Sequence, residues 1–153
     1  GETITADYFP KDNSSFFSKQ QSLFDWLFSY YQGIDTQEVR SLLGRMLFSG
    51  DAIHKKVSVL SGGEKVRMMF GKLCLLRPNV LVLDEPTNHL DMESIEAVNG
   101  CLEEFSGTVL LVSHDREMVA SVATQIIEIK ANAVVEHYKG SYNDYLAAQG
   151  INE

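Results

Sequence analysis

The stretch Val80-Leu81-Val82-Leu83-Asp84-Glu85-Pro86-Thr87-Asn88-His89-Leu90-Asp91 constrains this chain more than any other. Four consecutive apolar residues predict a short strand buried on both faces, of the kind found inside a parallel sheet. Pro86 cannot extend a ladder and biases Glu85 away from helix, so the strand ends there. Asp84 and Glu85 thereby fall at the carboxyl end of a core strand, the edge at which open α/β sheets bind ligands. Acids also close strands simply because they suit turns and water. The bare four-plus-two pattern is therefore compatible with a solvated turn.

The surrounding pattern alternates between strand and helix. Residues 3–9 read as a strand closed by the polar turn Pro10 to Ser15, and residues 22–31 as a helix with Leu23, Trp26, Leu27 and Tyr30 on one face. A second helix over 36–48 has Asp35 or Thr36 as its N-cap, and the two helices form a small insert between strands. Residues 50–60 look irregular, and a third helix covers 61–76 until Pro78 stops it. Further on, helix is predicted over 92–105, a second buried strand over 108–112, helix to about 123 capped by Asp115, strands over 125–130 and 134–138 around a turn at Ala131-Asn132, and helix over 142–148. This alternation predicts an α/β fold with a mostly parallel sheet.

The 153 residues amount to about one domain. No apolar run approaches the roughly 20 residues of a membrane helix, and there is no signal-peptide pattern, so direct membrane insertion is not expected. Acids outnumber bases 21 to 13, a net charge of −8 that argues against broad electrostatic binding of nucleic acid or anionic lipid by this segment. Cys74 and Cys101 lie in apolar helical patterns. They read as buried, reduced thiols of a cytosolic protein, not as a disulfide or metal site.

Leu60-Ser61-Gly62-Gly63-Glu64-Lys65 opens the third helix and has two readings. One is a capping box, with Ser61 as N-cap and Glu64 three residues on. That box does not need Gly62 and Gly63, each of which costs about 1 kcal/mol of helix propensity relative to Ala. Bare amides at a helix N-terminus instead suit a phosphate.

The long motif through Asp91 resembles the Walker B segment and D-loop of ATP-binding cassette (ABC) ATPases, and its Thr87-to-Asp91 spelling resembles the ABC-F branch. The Leu60-to-Lys65 hexapeptide resembles the signature loop of the same family, and Ser113-His114-Asp115-Arg116 its switch segment. Consecutive Ser-His-Asp is not a hydrolase triad, because adjacent residues on extended chain point apart. The resemblance implies the cofactors ATP and Mg²⁺. Asp84 would hold Mg²⁺, Glu85 would orient or deprotonate the attacking water, and His114 would hydrogen-bond the γ-phosphate. Ser61 and Gly63 would touch the γ-phosphate held by an opposing cassette, with Gly62 and Glu64 in the same nucleotide-binding loop, and Asp91 would belong to the D-loop that meets that cassette. Lys11 stands near the place of the family's Q-loop glutamine. A lysine there would repel a metal but could meet a phosphate, and a solvated turn lysine is the plainer reading.

The resemblance implies the P-loop NTPase (ABC ATPase) fold with a small helical and signature subdomain at about 14–76, and sheet core and C-terminal elements at 1–13 and 77–153. It extends over the later two-thirds of one cassette, by its ending the second of two, and Gly1 reads as a cut within a longer protein. No Gly-x-x-x-x-Gly-Lys-[Ser/Thr] occurs; Gly71-Lys72 has Val66 where the first glycine belongs. The expected consequences are unpaired edges beside the Walker B strand, weak or no ATP binding by this piece alone, and marginal stability or self-association. Implied partners are a second cassette and, through regions elsewhere, the ribosome. The alternatives are the ATPase subunit of a membrane transporter and a non-hydrolysing switch; Asn88-His89 and Ser113-to-Arg116 argue against the first, and Glu85 against the second.

Overall fold

The computed structural model describes residues 3–31, 33–88 and 90–151, in two units, 1–112 and 113–153. His89 of the central motif lies outside the described residues.

The first unit is built on three parallel strands in the order β1-β2-β3: β1 (Ala6–Phe9), β2 (Val80–Asp84) and β3 (Thr108–Val112). The register sets Phe9 opposite Leu83, and Leu83 opposite Leu111. Side chains alternate across the pleat, so Phe9, Leu81, Leu83, Val109 and Leu111 share one face. Tyr8, Val82, Leu110 and Val112 share the other. The first face is the core: Phe9, Leu81 and Leu83 are buried, and the Phe9 ring lies 5.1 Å from that of Phe70. The second face is open, with Tyr8, Leu110 and Val112 all at least half exposed. The two apolar runs were expected to be buried on both faces. Instead β2 is covered on one face, and β3 alternates between half-buried and exposed.

Among the described residues β2 is laddered on both sides, and the unpaired edges expected beside it are the outer ones of β1 and β3. Gly107 lets β3 begin close to β2, since a Cβ there would meet the Asn79 carbonyl oxygen at 2.5 Å.

Three helices follow β1: α1 (Leu23–Phe28), α2 (Thr36–Arg45) and α3 (Gly62–Leu76). They bury Leu23, Trp26 and Leu27, then Val39, Leu42 and Leu43, then Met68, Met69, Phe70 and Leu73 against one another. Trp26 Nε1 donates to the Phe16 carbonyl at 2.8 Å, which satisfies the one polar group it takes into the core. Helix α2 is shorter than its apolar spacing suggests: the chain leaves it at Met46, and Leu47 adopts φ 64°. The segment read as irregular holds two 3-10 turns, Gly50–His54 and Val57–Val59. It is pinned to the start of α1, where the Leu23 amide donates to Lys55 O and the Val57 amide to Gln21 O, each at 2.9 Å. After β2, α4 (Met92–Glu103) packs on α3 through Val98, Cys101 and Leu102.

The second unit contains α5 (Arg116–Val122), an antiparallel hairpin of β4 (Gln125–Ile129) and β5 (Val135–Lys139), and α6 (Tyr142–Ala148). Ala133, at φ 57°, makes the hairpin turn. The Tyr138 and Tyr145 rings meet edge-on at 5.8 Å and join the hairpin to α6.

Candidate functional site

Parallel pairing aligns the carboxyl ends of the strands. Lys11, two residues beyond β1, and Asp84 and Glu85, at the end of β2, therefore lie along one rim of the first unit's sheet. Asp84 and Glu85 are half-buried; Lys11 is exposed. Glu85 has φ 49°, in the left-handed region that costs a residue with a Cβ about 1–2 kcal/mol. It is held there by its amide, which donates to the Val112 carbonyl at 2.8 Å and so extends the β2–β3 ladder past the turn. Backbone strain of this kind concentrates at functional sites.

The loop after Glu85 is short and self-bonded. The Leu90 amide donates to Thr87 O at 3.1 Å, and Thr87 is buried. Asp91 then caps α4, accepting from the Ser94 amide at 2.8 Å. Hydrogen bonds from Ser94, with a smaller contribution from the Arg67 charge, hold the Asp91 carboxyl below its usual range. Arg67 itself lies 4.8 Å over the Phe48 ring and donates to the Met46 carbonyl at 3.1 Å.

The capping box anticipated at Ser61 is present. Ser61 Oγ accepts from the Glu64 amide at 3.3 Å, and Glu64 Oε2 accepts from the Ser61 amide at 2.8 Å. The other oxygen of Glu64 accepts from Lys55 Nζ, also at 2.8 Å. Burial pushes the Glu64 carboxyl up, but the bonds from Lys55 and Ser61 outweigh it, and the net direction is down. Both oxygens of Glu64 are thus engaged by this chain itself. Lys55 was missed in the sequence reading; its only cue is its place in the basic pair Lys55-Lys56 ahead of the loop.

The glycines behave differently. Gly62 has no positive φ, and a Cβ added to it would meet nothing within 4 Å; one added to Gly63 would sit 3.4 Å from Leu90 Cδ2. The loop that opens α3 therefore touches the loop between β2 and α4. No neighbour among the described residues requires Gly62 to be glycine. Ser61 and Gly62 are exposed.

His114 follows β3 by two residues and belongs to the second unit, where it is exposed. Asp115 is the N-cap of α5, accepting from the Met118 amide at 3.1 Å, while its own amide donates to Ser113 Oγ at 3.0 Å. Of the sequence-predicted residues, the first unit thus gathers two groups: Lys11, Asp84 and Glu85 on the sheet rim, and Ser61 to Glu64 beside the loop that ends in Asp91.

Comparison with known proteins agrees with these motifs. The ABC transporter family model matches residues 4–88, which include β1, the Ser61 loop and the β2 acids. The Probable ATP-binding protein YbiT of Escherichia coli O157:H7 is 51% identical over 151 residues, 98% of this chain and 28% of that protein. ABC transporter F family member 5 of Arabidopsis thaliana is 36% identical over 143 residues, 94% of this chain and 20% of that protein. Among solved structures, that of archaeal ribosome recycling factor aABCE1 in complex with archaeal ribosomal stalk protein aP1 superposes with a TM-score of 0.70 at 24% identity, over 96% of this chain and 30% of that one. The chain thus spans under a third of the length of these relatives. The chain belongs to the ABC transporter family of ATP-binding cassettes, and ABC-F members are among its relatives.

Proposed function

We propose that this chain supplies the hydrolytic rim and the signature loop of an ABC-F-type ATPase that sandwiches ATP between two cassettes. The observation that carries the proposal is Glu85. It is a carboxylate at the end of a parallel strand, kept in a strained conformation by a backbone bond that its side chain does not need. Bound Mg-ATP would supply the scissile phosphoanhydride and a cation to offset developing charge. The donor set fits that group: Asp84 offers a hard carboxylate oxygen suited to Mg²⁺, and half-burial keeps it partly out of water. Glu85 orients the attacking water and takes its proton. His114 contacts the terminal phosphate, and Lys11 is a solvated turn residue that could also meet a phosphate. Ser61, Gly62 and Gly63 present the N-terminus of α3 to the nucleotide of a second cassette, while Glu64, tied to Lys55, holds that loop in shape. Asp91 caps α4 in the D-loop that faces the second cassette.

Gly62 gives the sharpest test. In the full-length protein Gly62→Ala should leave stability unchanged or raise it by up to about 1 kcal/mol. ATP turnover should fall at least about tenfold, the loss of about 1.4 kcal/mol of transition-state contact. Unchanged turnover would refute the role given to the loop.

For the partner, the resemblance to ABC-F cassettes and the fold neighbour that is a ribosome recycling factor favour the ribosome, reached by parts outside this acidic segment. Among the described residues no helix is long and apolar enough to cross a membrane. Full-length protein should pellet with ribosomes in an ATP-dependent manner; pelleting with membranes instead would favour a transporter subunit.

A further inference from the structure

The two cysteines, far apart in sequence, meet in the fold. Cys74 lies near the C-terminal end of α3 and Cys101 near that of α4; both are free thiols, and their sulfurs stand 2.9 Å apart. About 1 Å of further approach would bring them to the disulfide bonding distance of about 2.0 Å. The pair is reachable through a cavity: Cys74 is partly buried and Cys101 buried, but both side chains line an open cavity of about 430 Å³ together with Arg45, Leu42, Glu104 and Phe105. Cys74 donates to the Cys101 sulfur, and this bond favours the thiolate form of Cys101 against the opposing effect of burial. Arg45 adds positive charge beside both sulfurs, while its ion-pair partner Glu104 opposes it. A nucleophilic sulfur, an adjacent resolving thiol and a path for a small oxidant are the parts of a redox-reactive pair.

We infer that Cys74 and Cys101 form a peroxide-reactive dithiol that closes to a reversible disulfide, tying the end of the signature helix to the end of the helix that starts at Asp91. The Cys101 thiolate attacks one oxygen of hydrogen peroxide; the O–O bond breaks, leaving a sulfenic acid and a hydroxide that takes up a proton. The Cys74 sulfur, giving up its proton, attacks the sulfenic sulfur and displaces hydroxide. Two thiols lose two electrons in all, and peroxide becomes two waters. The tie lies at the opposite helix ends from Ser61 and Asp91, so it would fix the splay of α3 against α4 without touching either loop. This inference does not depend on the ATPase reading.

The test is stoichiometric peroxide treatment of the native full-length protein, followed by alkylation and peptide mass spectrometry. The expected result is a crosslinked peptide containing Cys74 and Cys101, which dithiothreitol returns to two alkylatable thiols. In Cys74→Ser the crosslink is absent and Cys101 advances to sulfinic acid. Two cysteines that remain fully alkylatable after peroxide would overturn the inference, as would overoxidation of wild-type Cys101 with no crosslink.

Discussion

Glu64 illustrates how much of the signature loop is fixed by this chain alone. Its two oxygens are shared between the Ser61 amide and Lys55, and its carboxyl is held below the ordinary value of 4.5. A depressed folded-state value means the ionised form stabilises the fold. That stabilisation is complete above pH 4.5 and is lost as pH falls through the lower folded value. Thermal melts of wild type and Glu64→Gln should therefore converge as pH drops below 4.5, wild type being the more stable above it; curves parallel at all pH would contradict this. At this scale the sequence was informative where spelling is specific. The acids of β2, the Ser61 box and the Asp115 cap were all legible, because each rests on local chemistry within four residues. The Lys55–Glu64 pair and the contact of Gly63 with Leu90 were not, because they join segments that only the fold brings together.

At the scale of elements, α3 is the member that the others share. It packs on α1, α2 and α4, and through Phe70 it reaches Phe9 of β1. Its buried Lys72 lies 3.4 Å from Asp7 of the same strand, with the Phe16 and Tyr30 rings 5.2 and 5.3 Å from the ammonium. Phe70→Ala should cost about 3–5 kcal/mol, a core aromatic deleted from a site bounded by strand and helix; chemical denaturation measures it, and a loss below about 1 kcal/mol would show that α3 is not the common support. Helix positions were readable from apolar spacing and capping residues. Their ends were less so: Leu47 continues the apolar pattern of α2 after the backbone has already turned left-handed. The burial of β3 was misread for a physical reason. Hydrophobic residues in consecutive positions report that both faces could be covered, not that both are.

For the whole molecule, the sheet is the exposed part of the account. Among the described residues the outer edge of β3 is unpaired, and beside it Leu110 and Val112 stand more than half exposed. Unpaired edges of this kind invite pairing with another chain. The 153-residue chain on its own should show concentration-dependent association in sedimentation, relieved by Leu110→Lys; a monomer at all concentrations would contradict the reading of that edge. With no glycine-rich phosphate loop in its sequence, the same chain should bind Mg-ATP weakly or not at all by calorimetric titration, and micromolar affinity would refute that.

The claim that matters most is that the strained carboxylate at the end of β2 performs the chemistry. Its most direct measurement is steady-state ATP turnover by the full-length protein carrying Glu85→Gln, an isosteric change that removes the base and keeps the backbone. The account predicts turnover reduced about 100-fold or more, with ATP still bound and the paired cassettes trapped closed. Wild-type turnover in that variant would contradict it.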